Sequence, residues 1–265
     1  MKAKIRESLT ALALVGALGV TGAKAADPTI QLETWWGGHG TASVTLLAGG
    51  VNYNDGSILG TNITESGGAG GFKTNNLSTG GDSFLSWCVD IFHFFSFSVE
   101  STAVYQDAYS FFDTTLSNAD ASRIASDLGK LATNHLADAS AQAPGITATQ
   151  NENAVAFQLA VWEIVNENTG TYGLTSGNFL VNSAAPSDGV SPDIMGKANS
   201  WLSELAGTTS QYNAFVWGVS NGAGGIGMQD VLVFAPVPEP EIYAMLGLGL
   251  GLLGWVGRRR KRGAA

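Results

Sequence analysis

Two charge-free apolar runs, one near each end, fence off the part of this chain that can fold in water. The first follows the cations Lys2, Lys4 and Arg6, runs from Leu9 to Val20, and precedes Ala23-Lys24-Ala25. A positive head, a short apolar run and small residues before a cut are the pattern of a secretory signal peptide, expected over residues 1–25. The run has no polar face, which argues against an amphipathic helix, and it is too short for a stable membrane span. The second run, Ile242 to Gly257, holds no charge for 16 residues, and Arg258, Arg259, Arg260, Lys261 and Arg262 follow at once. As a helix it would span roughly 24 Å against a hydrocarbon core of about 30 Å, a mismatch that local bilayer thinning accommodates. The five cations should stay cytoplasmic and leave the body outside. A C-terminal transmembrane helix with that orientation is predicted.

Val237-Pro238-Glu239-Pro240, the Gly/Leu-rich run and the basic cluster come in order, and together they resemble the PEP-CTERM sorting signal. That signal belongs to Gram-negative bacteria that make exopolysaccharide. The resemblance implies recognition by an exosortase, an integral-membrane cysteine protease, with cleavage near Pro238-Glu239-Pro240. Residues 237–262 would then be an address that anchors the chain transiently in the inner membrane. The mature protein is expected in the cell envelope or the extracellular matrix, where biofilm and exopolysaccharide are its surroundings.

Residues 26–236 remain as the body, enough chain for one sizeable core. It carries 19 acids against four cations, Lys73, Arg123, Lys130 and Lys197, a net charge of −15. So acidic a body repels nucleic acid and has no basic patch for a phosphate backbone. Its first half reads as strands, at Thr29 to Trp36, Ala42 to Ala48 and Phe84 to Phe97. Gly37-Gly38, Asn54-Asp55-Gly56, Gly67 to Gly71 and Gly80-Gly81 punctuate them as turns. Asn54-Asp55-Gly56 lacks the acids of a calcium loop. The second half predicts helices over about Ala119 to Ala139, over Thr149 to Asn166 behind a Thr149/Glu152 capping box, and from Ser191-Pro192-Asp193 to Gly207. A last strand is predicted at Val231 to Phe234. Gly222 to Gly227 spells a dinucleotide fingerprint, but a strand follows it where a helix is required, so it reads as a loop.

The body has a single cysteine, Cys88, which therefore cannot close an intramolecular disulfide. If the strand continues past it, Ser86, Cys88 and Asp90 share one face, and Trp87, Val89 and Ile91 the other. A lone cysteine is ordinarily a small buried hydrophobe. In the second helix, Ala154, Val155, Gln158, Val161, Trp162 and Val165 recur at steps of three and four, so Gln158 sits within an apolar face. A buried carboxamide without partners costs on the order of 1–3 kcal/mol. Either backbone groups satisfy it, or the amide is gone. A cysteine sulfur can displace ammonia from glutamine to leave a γ-glutamyl thioester, which a dry site shields from hydrolysis.

Trp87-Cys88-Val89-Asp90 and Phe157-Gln158-Leu159-Ala160-Val161-Trp162-Glu163 resemble the Cys and Gln segments of bacterial thioester domains. In Gram-positive surface adhesins the second segment reads Thr-Gln-x-Ala-Ile/Val-Trp. Gln158, Ala160, Val161 and Trp162 match, and Phe157 stands in place of the threonine. The resemblance implies a Cys88–Gln158 cross-link between a β-rich part and a helical part, with Asp90, Trp162 and Glu163 as candidate supports. The expected fold class is α+β: a β-rich sandwich or barrel-like part packed against a small helical subdomain, flanked by the signal peptide and the C-terminal helix.

Other chemistry is thinner. By strand parity His93 falls on the face opposite Cys88, which disfavours a local Cys-His pair, although folding could bring His39 or His135 near. Three scattered histidines make no zinc spacing, so no metal and no cofactor are expected. No set of nucleophile, base and orienter is visible, and a thiol hydrolase is the least supported reading. Two readings remain: a surface protein that captures an amine-bearing partner or matrix through a thioester, and a non-covalent structural or glycan-binding matrix protein. In the second, Trp35 and Trp36 would stack on sugar. Neither is an enzyme.

Overall fold

The computed structural model describes residues 27–91, 93, 95–140, 147–182, 192–219, 229–238 and 248. The predicted signal peptide, the C-terminal run apart from Leu248, the basic cluster 258–262, Glu239, Pro240 and the 222–227 loop lie outside the described residues. Among the described residues no helix is long and apolar enough to cross a membrane.

The architecture is α+β, a large antiparallel sheet with four α-helices among the described residues. The strands are β1 (Thr29–Leu46), β2 (Ile63–Asn76), β3 (Asp82–Cys88), β4 (Glu100–Asp107), β5 (Phe179–Val181), β6 (Tyr212–Val219) and β7 (Val231–Pro236). Their order is β2-β3-β7-β6-β4-β1-β5, and β1 pairs with β2 as well. Six strands thus close a ring of pairings, with β5 added on the outer end of β1. The ring closes through short ladders at two places, two residue pairs between β3 and β7 and three between β1 and β4. The helices are α1 (Ala108–Phe112), α2 (Asn118–Ala139), α3 (Ala148–Asn166) and α4 (Pro192–Ser203).

Helix α3 organises the molecule. It packs on β1, β2 and β3 on one side and on α2 and α4 on the other. Every residue from Ala154 to Asn166 is buried. The sequence implied one apolar face, but a helix covered all round needs apolar residues all round, and α3 supplies them. Its capping box is Thr147 with Gln150, two residues earlier than the predicted Thr149 with Glu152. Both spellings satisfy the rule. The earlier one adds the turn that meets β1, where His39 N–H donates to Asn151 Oδ1 at 3.2 Å.

The glycines explain where the strand prediction failed. Gly37-Gly38 breaks nothing: β1 runs through it with a register shift between Trp35 and His39. A Cβ on Gly38 would lie 2.5 Å from Asn151 Cα, so the bulge is what lets α3 approach. Gly67 to Gly71 is likewise strand, part of β2. A Cβ on Gly68 would lie 2.5 Å from the Trp35 ring, which fills the space that the absent side chain leaves. Asn54-Asp55-Gly56 is a turn, with Gly56 at φ +70° and the Val51–Ile58 bridge closing it. Strand β3 stops at Cys88 instead of reaching Phe97, because Val89 N–H leaves β2 to bond Asp230 O at 3.0 Å. Strands β4 and β6 carried no distinct signal in the sequence and pair with each other over five residues.

Candidate functional site

Cys88 ends β3 and Gln158 lies mid-α3, and the core brings them together. The Trp87 ring, one residue before the cysteine, packs on Phe157, one before the glutamine, with centroids 4.5 Å apart. Both rings are fully buried, and each contributes on the order of 2 kcal/mol of apolar burial to docking the strand on the helix. Cys88 is 1% exposed and Gln158 0%. Their contact is reciprocal. Cys88 N–H donates to Gln158 Oε1 at 2.9 Å, and Gln158 Nε2 donates to Cys88 O at 2.7 Å. The amide plane is fixed against the backbone of the chain's one cysteine. That backbone N–H points at the oxygen on which charge develops when a nucleophile attacks Cδ.

The sulfur has its own neighbours. Sγ faces Asp90 O at 2.8 Å and Gln229 Oε1 at 2.7 Å, and its one proton serves one of them at a time. Burial pushes the thiol well above its ordinary pKa, and the charges of Asp90 and Asp230 push the same way. The Trp162 indole N–H, one helical turn beyond Gln158, works against them. Asp230, half-buried, has its carboxyl raised to about 7, chiefly by desolvation, although Val219 N–H donates to it at 2.7 Å. Tyr53 completes the cluster, its hydroxyl pKa raised by burial first and by the Asp90 and Asp230 charges next.

A cavity of about 110 Å³ opens beside this junction. Trp162 and Gln229 form its inner wall, Val44 and Ile91 its sides, and Glu65 and His93 its polar edge. It is narrow enough for a small amine or the end of an extended side chain.

The residues expected at the site divide. Asp90 and Trp162 stand beside Cys88. Asp90, which parity placed on the Cys88 face, is 1% exposed and pairs with His93 Nδ1. Glu163 turns elsewhere: Oε1 accepts from Gly173 N–H at 2.7 Å, in the loop behind α3. Burial raises its carboxyl to about 8. β3 ends before His93, and the turn that follows places it at the cavity edge against Asp90; no hydrogen bond joins it to Cys88 among the described residues. His39 and His135 do not reach the site; they stack on Trp35 and Trp201. Trp35 is packed among Phe72, Phe95 and Phe97, and Trp36 Nε1 donates to Ser140 O, so neither forms an open sugar platform. Sequence reasoning missed Gln229, Asp230 and Tyr53, which reach Cys88 from distant segments and carry no local motif.

With the geometry in place, comparison with known proteins adds the following. Residues 236–261 match the PEP-CTERM protein-sorting motif. The chain carries that sorting signal. It is therefore an exported, sorted protein of the cell envelope, with an exosortase as its processing partner. The motif starts where β7 leaves the sheet, and Pro236 to Pro238 are exposed there. Among solved structures the chain is similar to the N-terminal thioester domain of a surface protein from Clostridium perfringens, in a cysteine-to-alanine mutant. That match has 10% identity and a TM-score of 0.34, covering 74% of this chain and 99% of that one. It is also similar to the N-terminal thioester domain of a protein F2-like fibronectin-binding protein from Streptococcus pneumoniae. Here identity is 12% and the TM-score 0.41, covering 80% of this chain and 100% of that one. No curated protein matches the chain.

Proposed function

We propose that this envelope protein joins Cys88 to Gln158 in a thioester and uses the bond to attach covalently to an amine-bearing partner at the cell surface or in the matrix. The observation that carries the reading is the reciprocal pair of hydrogen bonds that holds the Gln158 amide on the Cys88 backbone; Gln229, which accepts from the sulfur, also lines the nearby cavity. Formation is a transfer within the chain. Sγ bonds to Gln158 Cδ, the Cδ–Nε2 bond breaks, and the thiol proton leaves with the amide nitrogen as ammonia. Cys88 N–H at 2.9 Å from Oε1 stabilises the tetrahedral oxyanion in both directions. Burial keeps water from the product.

The body's own amines are kept out of reach. Lys73 pairs with Glu33 at 2.6 Å, Lys130 with Asp127 at 2.8 Å, and Lys197 with Glu152 at 3.3 Å. None of the three lines the cavity, which leaves it to an outside amine.

The test is the intact mass of the freshly purified body. It is expected to be lighter than the sequence by one ammonia, and methylamine should then add across the bond and expose the Cys88 thiol. Full sequence mass with a reactive thiol before any amine is added would overturn the reading. Sorting is tested separately: the mature protein from exosortase-positive cells should lack residues 258–262, and recovering them there would exclude cleavage at the motif.

A further inference from the structure

We propose that His93, oriented by Asp90, is the proton shuttle of the Cys88–Gln158 bond, taking a proton from the incoming amine in the cavity and handing it to the departing sulfur. This rests on the thioester reading above. The starting point is what surrounds the sulfur. Its hydrogen-bond partners Asp90 O and Gln229 Oε1 are both acceptors and suit a protonated thiol, although the Trp162 indole N–H favours the thiolate. Desolvation and two acidic neighbours disfavour the thiolate further. A sulfur leaving Gln158 Cδ in this site therefore needs a proton as the bond breaks, and an attacking amine has one to lose.

His93 is placed to move it. Its ring lines the cavity that Trp162 and Gln229 share, and its side chain is 44% exposed, so it reaches both solvent and site. Nδ1 is held by Asp90 Oδ2, whose carboxylate is 2% exposed, and Asn54 Nδ2 lies 3.5 Å from Oδ1. An imidazole held through Nδ1 keeps Nε2 for proton transfer. The backbone is tied into the same ring of contacts. Gln229 Nε2 donates to His93 O while Gln229 Oε1 accepts from Cys88 Sγ, and Cys88 Sγ closes the ring at Asp90 O. One network thus spans the sulfur, the histidine and the acid that orients it.

The step balances without another reactant. The amine lone pair forms the Cδ–N bond, and the Cδ–Sγ electrons go to sulfur. The excess proton on nitrogen passes to His93 Nε2 and from there to Sγ, leaving an amide, a thiol and neutral imidazole. In the forming direction the same path carries the thiol proton to the departing nitrogen. Among the described residues the other ionisable groups that face His93 are Glu65 from β2, Asp90 in its own turn and Asp230 ahead of β7. Helix α3 and strand β1 contribute only Trp162, Ala42 and Val44 to the cavity wall. Asp230 is half-buried and occupied by Val219 N–H, and no hydrogen bond orients Glu65 among the described residues, so neither replaces the histidine.

The experiment uses the body with its native Cys88 and Gln158, the His93→Ala variant, and methylamine as the probe, followed by intact mass. In the wild type the mass deficit of one ammonia is read first. Its absence there sinks the thioester reading and this proposal with it. With the deficit present in both proteins, His93→Ala should couple methylamine about 100-fold more slowly, and free imidazole should restore much of the rate. Coupling of His93→Ala at the wild-type rate overturns the shuttle and leaves the thioester standing. If folded His93→Ala, with a wild-type unfolding midpoint, keeps full mass until imidazole is added, the shuttle operates in the forming direction. A variant that imidazole restores in neither direction also overturns the proposal.

Discussion

Helix α3 carries two buried polar sites, and they differ in kind. At Gln158 the side chain grips the backbone of a nucleophilic residue and a cavity adjoins it. Five to nine residues on, Glu163 and Glu167 grip only a loop. Glu163 accepts from Gly173 N–H, and Glu167 accepts from the N–H groups of Asn168, Thr169 and Asn178. Arg123 braces the same corner by donating to Glu167 O and, at 3.2 Å, to Ile164 O. The second site is a clamp: it replaces a short hydrogen-bonded turn with carboxylate acceptors and shuts the loop over the helix end. Burial of a polar group does not mark a reactive site by itself. A nucleophile in reach, a donor aimed at the developing charge and an approach for the second reactant do.

That contrast breaks first at the bond itself. Cys88→Ala and Gln158→Ala should each abolish the ammonia deficit and all methylamine addition, whereas Glu167→Ala should leave both intact; intact mass decides. A deficit that persists in Gln158→Ala would move the cross-link elsewhere. The next largest effect belongs to the clamp. Glu167→Ala removes a carboxylate that serves three backbone donors and should lower stability by about 3 kcal/mol, read as a fall in the urea midpoint. No loss would mean that the loop is held by other contacts.

The clamp is also the pH-sensitive region. Glu163 titrates at about 8 in the folded chain against an ordinary value of 4.5, so the folded state holds a proton that the unfolded state has released. Stability is therefore full below about 4.5 and falls as pH rises toward 8, at up to about 1.4 kcal/mol per pH unit. Asp230 adds the same sign between its ordinary 3.8 and about 7. Glu163→Gln should remove its share of that slope without changing the mass deficit, as urea titrations from pH 5 to 8 would show. An unchanged slope would mean that Glu163 is ionised in the fold. The smallest effect is expected at the surface. Lys73→Ala breaks an exposed pair with Glu33 and should leave the urea midpoint at the wild-type value. A lower midpoint would make that pair structural.

The α+β class, α2 (Asn118–Ala139), the body of α3, the start of α4 and the final strand were legible in the sequence because each rests on local chemistry: caps, periodicity and β-branched runs. The Cys88 and Gln158 segments were legible for the same reason, as was the sorting signal. The glycine segments misled because a glycine that opens a turn and a glycine that admits a neighbour look the same along a chain. Gly38 is distinguished only by Asn151, and Gly68 only by the Trp35 ring. Parity could not place His93 at the cavity beside Asp90, because β3 ends at Cys88 and Val89 N–H bonds Asp230 O, 141 residues away. Residue types, their order and their periodicity are carried by the chain itself. Which sulfur meets which amide, which histidine turns toward them and which acid is buried beside it depend on contacts between distant segments, whose free energy exists only once the core has closed.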